Sequence, residues 1–161
     1  MNEEIIEEMV GEFLVNTNIW LWHLHDLLPE KERQKFQPPA GKNKEEVLQE
    51  VEEFLFEAWE HVRISDFSLH TLGVLLFRLG LHELFLRLTN QLADKVVKLE
   101  TSDLKCLAEV SQKFAIDFDD AYQYVIAEKY GLTVVSFDPD FDRTDRGRLT
   151  PEQALQKLRR R

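Results

Sequence analysis

The sequence predicts a three-layer α/β domain with a mainly parallel central sheet. Three observations support this fold class. Short apolar runs alternate along the chain with longer segments that have helical periodicity. The short runs are apolar at successive positions, which is typical of strands that are buried on both faces. The 161 residues are 43% hydrophobic and 31% charged, so we expect a single domain over residues 1–161 with a substantial core.

The first third of the chain is predicted to contain one strand, two helices and a loop. Residues 3–9 are an acidic helix candidate, and residues 13–15 form a compact apolar run that predicts the first buried strand. The apolar residues from 19 to 28 continue as a helix, with one of residues 16–18 as its N-cap. Residues 29–44 are polar and contain two prolines and a glycine, which predicts a loop.

The middle of the chain is predicted to alternate between helices and strands. Residues 44–59 are the clearest helix, because their apolar side chains recur at a spacing of about 3.6 residues. A short strand over 62–64 is followed by an apolar helix that Ser65 or Asp66 caps and that Gly80 ends. The other elements predicted in this part are a helix over 82–93 and a strand over 96–99.

The last third is predicted to contain three helices, a strand and a charged loop. Thr101 or Ser102 caps the first helix, and Asp119 or Asp120 caps the second. The second helix ends at Gly131, because glycine is favoured just after a helix. The remaining predicted elements are a strand over 133–137, a charged loop over 138–147 and a last helix that opens with the capping sequence Thr150-Pro151-Glu152-Gln153.

Polar and acidic side chains follow the predicted strands at the point where each strand ends. Asn16 follows the first strand, Ser65 and Asp66 follow the second, Glu100 follows the third and Asp138 follows the last. In open α/β sheets, ligands bind beyond the carboxyl ends of the strands. The sequence therefore predicts an acidic functional edge.

The densest acidic group is the segment Asp138-Pro139-Asp140-Phe141-Asp142. Three carboxylates at alternate positions can surround a hard cation. An EF-hand calcium loop is disfavoured, because it needs Gly and Glu where this chain has Arg143 and Leu149. A phosphatase-type Asp-x-Asp nucleophile needs more α/β sequence downstream than follows here. An exposed acidic turn, whose carboxylates cap backbone amides, stays open as an alternative.

A second acidic group, Asp117-Phe118-Asp119-Asp120, lies at a predicted helix start. One carboxylate there is expected to cap the helix and complement its dipole. A second or third carboxylate at the same point suggests a further role.

Three blocks of the sequence together resemble the PIN domain family. Residues 119–132 are similar to the family's Asp-Ala helix start and Ala-Glu-x-x-Gly helix end. Residues 135–141, Val-Ser-Phe-Asp-Pro-Asp-Phe, resemble a strand that closes in Thr/Ser-x-Asp-x-Asp-Phe. Residues 13–19, Phe-Leu-Val-Asn-Thr-Asn-Ile, resemble the opening hydrophobic-Asp-Thr-Asn-hydrophobic strand. The blocks fit nearly the whole chain in order and spacing, although residues 29–60, an extended loop and helix, are longer than is typical.

The resemblance implies a metal-dependent nuclease in which carboxylates at the strand ends hold Mg²⁺ or Mn²⁺. Many PIN domains are toxin endoribonucleases of the VapC type, so the resemblance also implies an RNA substrate, an antitoxin protein partner and a homodimer. By position, Asp120 matches the family's Asp before Ala, and Asp138 matches the acid that ends the last strand. The implied metal ligands are Asp120, Asp138, Asp140 and Asn16, and the implied catalytic residues are Asp120, Asp138, Asn16 and Asp66.

Two positions depart from the family's pattern. Residue 16 is an asparagine where the family has its first aspartate, and an amide lends a carbonyl oxygen but no negative charge. The family's mid-chain glutamate falls on Thr71. Asp66 is the best stand-in for that glutamate, because it follows the second strand at the same sheet edge, and its alternative role is a helix N-cap.

Two explanations of Asn16 stay open. It is either an engineered Asp→Asn change that silences a nuclease or a natural residue of a PIN-like protein with degraded metal binding. Every neighbour of Asn16 still fits the motif, which favours the engineered change. A protein of the second kind would act as a protein-binding or regulatory module.

The composition restricts the partners and the setting of the protein. Twenty Lys and Arg against thirty Asp and Glu give a formal net charge of −10, which makes the surface as a whole a poor attractor for nucleic acid. Cys106 is the one cysteine, so an internal disulfide and a Cys-rich zinc module are both excluded. We expect a cytoplasmic protein with no membrane span and no targeting segment, because the N-terminus is acidic and the longest apolar stretch is interrupted by charges.

Overall fold

Four short parallel strands form the centre of the fold. A computed structural model describes residues 12–160, so the helix predicted over residues 3–9 lies outside the described part of the chain. The strands are β1 (Phe13–Val15), β2 (Val62–Ser65), β3 (Val96–Val97) and β4 (Thr133–Val135), in the spatial order β3-β2-β1-β4. Phe13 lies opposite Val62 on one side and Thr133 on the other, so β1 is a central strand.

Eight α-helices connect and cover the strands within the described residues. They are α1 (Thr17–Leu24), α2 (Glu30–Arg33), α3 (Lys44–Ala58), α4 (Asp66–Arg78), α5 (His82–Leu92), α6 (Leu104–Phe114), α7 (Phe118–Tyr130) and α8 (Pro151–Arg159). Short 3₁₀ turns occupy His25–Leu27, Trp59–His61, Thr101–Asp103 and Pro139–Arg143. None of these helices combines the length and the apolar character that a membrane span requires.

The two faces of the sheet are packed against different sets of helices. Phe13 and Val15 belong to a core that includes side chains of α1, α3, α4, α5 and α8. Leu14 and Val134 belong to a second core with side chains of α6 and α7. Successive strand residues point to opposite faces, so β1 and β4 each contribute to both cores. The predicted three-layer α/β fold with a parallel sheet is therefore confirmed, and all of its strand pairs are parallel.

The helix caps differ from the prediction at two places. Asp117, rather than Asp119 or Asp120, caps α7: its backbone is extended and its Oδ1 accepts the Asp120 N–H at 3.0 Å. The cap before α6 also differs: Asp103 occupies the N-cap position of the α-helix, and Glu100 caps the 3₁₀ turn that precedes it. The remaining caps follow the predicted chemistry, with Asn16 before α1, Ser65 before α4 and a capping box of Thr150 and Gln153 before α8.

Some predicted elements are shorter than expected or interrupted. The strand predicted over 133–137 ends at Val135, because the next residue pairs elsewhere: the Ser136 N–H donates to the Leu149 carbonyl at 3.0 Å. The Leu149 N–H donates back to the Val134 carbonyl at 2.9 Å. The strand predicted over 96–99 has two residues, and the predicted loop over 29–44 contains the four-residue helix α2. The helix predicted over residues 19–28 ends at Leu24 and continues as a 3₁₀ turn.

Two phenylalanines of α3 provide a test of the packing. Phe54 is fully buried, with its ring centroid 5.6 Å from that of Phe13, whereas Phe56 is 86% exposed. We expect Phe54→Ala to lower the free energy of unfolding by about 3–5 kcal/mol through lost burial and a cavity. Phe56→Ala should change it by less than about 0.5 kcal/mol. Urea denaturation of the metal-free proteins measures both values, and equal effects would contradict the placement of α3 against the sheet.

Candidate functional site

Three carboxylates converge at the edge where the strands end. Asp120 on α7 and Asp138 and Asp140 after β4 each place one carboxylate oxygen within 4.8 Å of the others. Asp120 is 6% exposed, and the other two are partly exposed. Parallel strands and the helices that follow them bring these distant parts of the chain to one edge. Three of the four predicted metal ligands are thus close enough for one cation to bridge them.

Local hydrogen bonds fix the orientation of Asp138. Its Oδ1 accepts the Asp140 N–H at 2.9 Å and caps the 3₁₀ turn that Pro139 begins. Its own N–H donates to Ser136 Oγ at 2.9 Å. The alternation of acidic residues therefore has two functions here. One carboxylate organises the turn, as the acidic-turn alternative requires, and the same turn places two carboxylates beside Asp120.

Asp120 is held in an unfavourable environment for a negative charge. Burial, together with the charges of Asp138, Asp117 and Asp140, raises its pKa from 3.8 to about 7. Asp117 takes the capping role at the start of α7, which leaves the Asp120 carboxylate in the cluster. Near neutral pH, this carboxylate binds either a proton or a cation at little cost.

Asn16 is connected to the acidic cluster through Ser136. Its Oδ1 accepts the Thr17 N–H at 2.9 Å, and its Nδ2 donates to Ser136 Oγ at 2.9 Å. Ser136 Oγ also receives the Asp138 N–H and, at 3.1 Å, Asn18 Nδ2. Three donors thus point at one hydroxyl oxygen, which has two lone pairs. Ser136 was not predicted to be part of the site, although its position between the last strand and Asp138 could have indicated this role.

Asp66 makes different contacts and is not one of the three converging carboxylates. Its Oδ1 accepts the Phe67 N–H at 2.9 Å and the Tyr122 hydroxyl at 2.8 Å. Burial, together with the hydrogen bond to Asp66, raises the pKa of Tyr122 to about 12. Tyr122 lies two residues after Asp120 on α7, so Asp66 links the start of α4 to the helix that carries the cluster. Its role as a substitute for a family glutamate stays a prediction.

Thr71, the position of that family glutamate, is exposed and donates its hydroxyl to the Phe67 carbonyl at 3.0 Å. A buried polar chain lies nearer to the site. Thr17 Oγ1 and Ser68 Oγ are 2.7 Å apart, and Gln123 Nε2 donates to Ser68 Oγ at 2.6 Å. This chain joins α1, α4 and α7 close to where each helix begins. It was not predicted, because serine, threonine and glutamine within helices carry no positional signal of their own.

The chain was compared with known families and structures. The sequence profile of the PIN domain matches residues 13–147. FitAcB from Neisseria gonorrhoeae has a TM-score of 0.62 at 19% identity, with 86% of this chain and 97% of that chain covered. PAE2754 from Pyrobaculum aerophilum has a TM-score of 0.60 at 20% identity, with 94% and 91% covered.

A toxin-antitoxin complex from Klebsiella pneumoniae gives a TM-score of 0.56 at 14% identity, with 88% of this chain and 98% of that chain covered. At these identities the structures establish a shared fold. No curated protein matches the chain. The profile match spans all four strands, the acidic cluster and Asn16, and it agrees with the three sequence blocks that resemble the family. The chain therefore belongs to the PIN domain family.

Proposed function

We propose that the protein is a metal-dependent endoribonuclease of the PIN type. Asp120, Asp138 and Asp140 are proposed to hold Mg²⁺ or Mn²⁺. The observation that carries this proposal is the convergence of their three carboxylate oxygens within 4.8 Å. PIN domains are generally nucleases, and the chain belongs to that family.

The donor set fits a hard divalent cation. All three groups are carboxylates, and hard cations prefer oxygen ligands. Burial and the neighbouring carboxylates raise the pKa of Asp120, and a divalent cation would offset the negative charge that the Arg143–Asp140 pair, at 3.4 Å, leaves in the cluster. A bound ion would act as a Lewis acid toward a scissile phosphate and lower the pKa of a water molecule.

The residues around the cluster would position this chemistry. Asp138 is held at both its carboxylate and its N–H, so its free oxygen is aimed without loss of side-chain entropy on binding. The protein carries a net charge of −10, so an RNA phosphate could approach this edge only where a cation offsets the carboxylates. The cation thus serves substrate binding as well as the reaction.

The surroundings of Asn16 favour a carboxylate at that position. With an aspartate there, the Ser136 hydroxyl could donate its hydrogen to the carboxylate and accept the two remaining bonds, from Asn18 and the Asp138 N–H. The present asparagine adds a third donor instead. This supports the explanation that Asn16 replaces an aspartate of an active nuclease.

A second function follows if Asn16 is natural. The neutral amide removes one charge from the group that would hold the cation, so the chain would be a catalytically degraded PIN protein. It would then serve as a protein-binding or regulatory module. The two proposals differ in whether an added carboxylate at residue 16 restores metal binding and cleavage.

The proposed partners follow from the family and from its structural neighbours. One neighbour is a toxin-antitoxin complex, and another is FitAB bound to a DNA fragment. We infer that this chain is the toxin of such a pair, with an antitoxin protein as partner, RNA as substrate and a homodimer as its assembly. A cytoplasmic location is part of the same proposal.

Removal of one converging carboxylate should abolish metal binding. We expect Asp138→Asn to weaken Mn²⁺ binding by at least about tenfold, because a charged ligand is lost. RNA cleavage in Mn²⁺ should fall to background. The matched control is Asp142→Asn, since Asp142 is exposed and pairs with Arg148. Calorimetric titration with Mn²⁺ and cleavage of a single-stranded RNA measure both variants. Equal affinity of the two variants for Mn²⁺ would show that Asp138 is not a metal ligand.

The raised pKa of Asp120 predicts how stability depends on pH. A carboxyl whose pKa rises from 3.8 to about 7 on folding stabilises the fold at low pH and loses that contribution as pH rises through about 7. We expect the melting temperature of the metal-free protein to fall between about pH 4 and pH 7 and to level off above that range. Asp120→Asn should flatten this dependence, and Mn²⁺ should raise the melting temperature of the original protein at pH 8. If the melting temperature of Asp120→Asn falls with pH as steeply as that of the original protein, another group causes the pH dependence.

Substitution of Asn16 by aspartate separates the two proposed functions. Asn16→Asp should tighten Mn²⁺ binding and raise RNA cleavage by about tenfold or more, because a charged ligand is worth more than a neutral one in a partly buried site. It should also lower the melting temperature without metal. Asn90→Asp, an exposed change of the same charge, is the control. If Asn16→Asp behaves like Asn90→Asp, the regulatory module is the better proposal.

A further inference from the structure

A cavity lies at the opposite edge of the sheet from the acidic cluster. It has a volume of about 590 Å³ and is lined by the end of α3, the turn before β2 and the end of α5. These segments precede strands, so they lie where the parallel strands begin. Its lining includes Glu52, Leu55, Phe56, Trp59, Glu60 and Gln91. A ligand bound in this cavity would leave the carboxylate cluster accessible.

An exposed aromatic ring makes this cavity unusual. Phe56 is 86% exposed, although it lies on a helix whose apolar side chains are otherwise mostly buried. Leu55 beside it is buried, and the Trp59 ring forms part of the same lining. Lys95 holds Trp59 in place, with its Nζ 2.7 Å from the Trp59 carbonyl and 4.8 Å from the ring centroid. The cavity therefore has a fixed apolar floor and a projecting aromatic group at its rim.

The rim around this apolar floor is acidic. Residues 44–60 contain seven glutamates and one lysine. Glu52, Glu57 and Glu60 line the cavity itself. Glu52 accepts a hydrogen bond from His23, and Glu57 pairs with Arg159 at 2.6 Å. Acidic side chains around an apolar centre favour a ligand with apolar anchors flanked by positive charges.

We propose that this cavity binds a basic amphipathic helix of a partner protein. The helix would place a large apolar side chain against Phe56 and Trp59, and its Lys or Arg side chains would face the glutamates. Such binding would be independent of the nuclease site, because the two lie at opposite edges of the sheet.

Charge argues against the other occupants of this cavity. RNA and anionic lipid surfaces are repelled by the glutamate rim. Residues 1–11 of the chain contain four glutamates and no Lys or Arg, so they would add like charge. A second copy of the chain carries the same net charge of −10. Its short basic tail, Arg159-Arg160-Arg161, carries the required charge, and the experiment includes it as an outcome.

The test uses a synthetic helix of leucine and lysine of about 18 residues, which is long enough to form a helix. The matching peptide has glutamate in place of lysine. Fluorescence anisotropy of labelled peptide measures binding to the full chain. We expect the lysine peptide to bind and the glutamate peptide not to bind. Phe56→Ser should weaken binding by about tenfold, because a central aromatic anchor is lost. Phe77→Ser, which removes a half-exposed aromatic side chain of α4, should not.

Two further controls separate this surface from general attraction to an acidic protein. Glu52→Gln with Glu60→Gln should weaken binding more than Glu109→Gln with Glu128→Gln, although both pairs remove the same charge. Asp138→Asn should leave peptide binding unchanged, so failure of this inference is distinguishable from failure of the proposed nuclease. Of the substituted residues, only Asp138 belongs to the proposed metal cluster. Circular dichroism checks that each variant folds.

Three results would overturn the proposal. Equal affinity for the two peptides would exclude a charge-selective surface. Equal effects of Phe56→Ser and Phe77→Ser would remove the aromatic anchor. Self-association in sedimentation velocity that Phe56→Ser abolishes would assign the cavity to a second copy of the chain.

Discussion

The parallel pairing of β1 with both of its neighbours is the constraint on which the site depends. Because β2 and β4 run in the same direction as β1, the residues that follow all three strands reach one edge. The first helix after β1 and the turn after β4 then approach each other, although 120 residues separate Asn16 from Ser136. An antiparallel β4 would place Ser136 and Asp138 at the other end of the sheet. The strands are only two to four residues long, so the helices on both faces must maintain this register.

A cluster of like charges needs support from groups that carry no charge. Here that support is a set of amides and hydroxyls: Asn16 and Ser136 on one side of the cluster, and Thr17, Ser68 and Gln123 beneath the helix starts. Each is buried or nearly so, and each bonds across elements rather than within one. Neutral hydrogen bonds hold the carboxylates in place without neutralising them. Burial and the repulsion that remains together raise the pKa of Asp120.

Much of the fold was predictable, because it follows from local patterns. The apolar run of residues 13–15 and the periodicity of residues 44–59 identified β1 and α3 nearly to the residue. The cap of α7 was less predictable. Residues 117, 119 and 120 are all aspartates, and only the backbone conformation shows that Asp117 caps the helix and Asp120 does not. Convergence of Asp120 with Asp138 and Asp140 was expected from the family resemblance. Ser136 was not identified, because the partners of a hydroxyl depend on tertiary contacts. The exposure of Phe56 could not be predicted from the sequence either. A phenylalanine next to the apolar face of a helix can be covered by another element or exposed to solvent.

The acidic turn is attached to the sheet at both ends, and Phe141 anchors its middle in the core on one face of the sheet. Backbone hydrogen bonds join residue 149 to residues 134 and 136, so the chain leaves the sheet and returns to it at fixed points that no side-chain substitution alters. Around the buried Phe141, the exposed positions of the turn can gain or lose carboxylates while the strands keep their pairing. An evolving lineage could therefore discard its chemistry here without discarding its fold. The same attachment allows a protein engineer to transplant turns from distant relatives into this chain as cassettes.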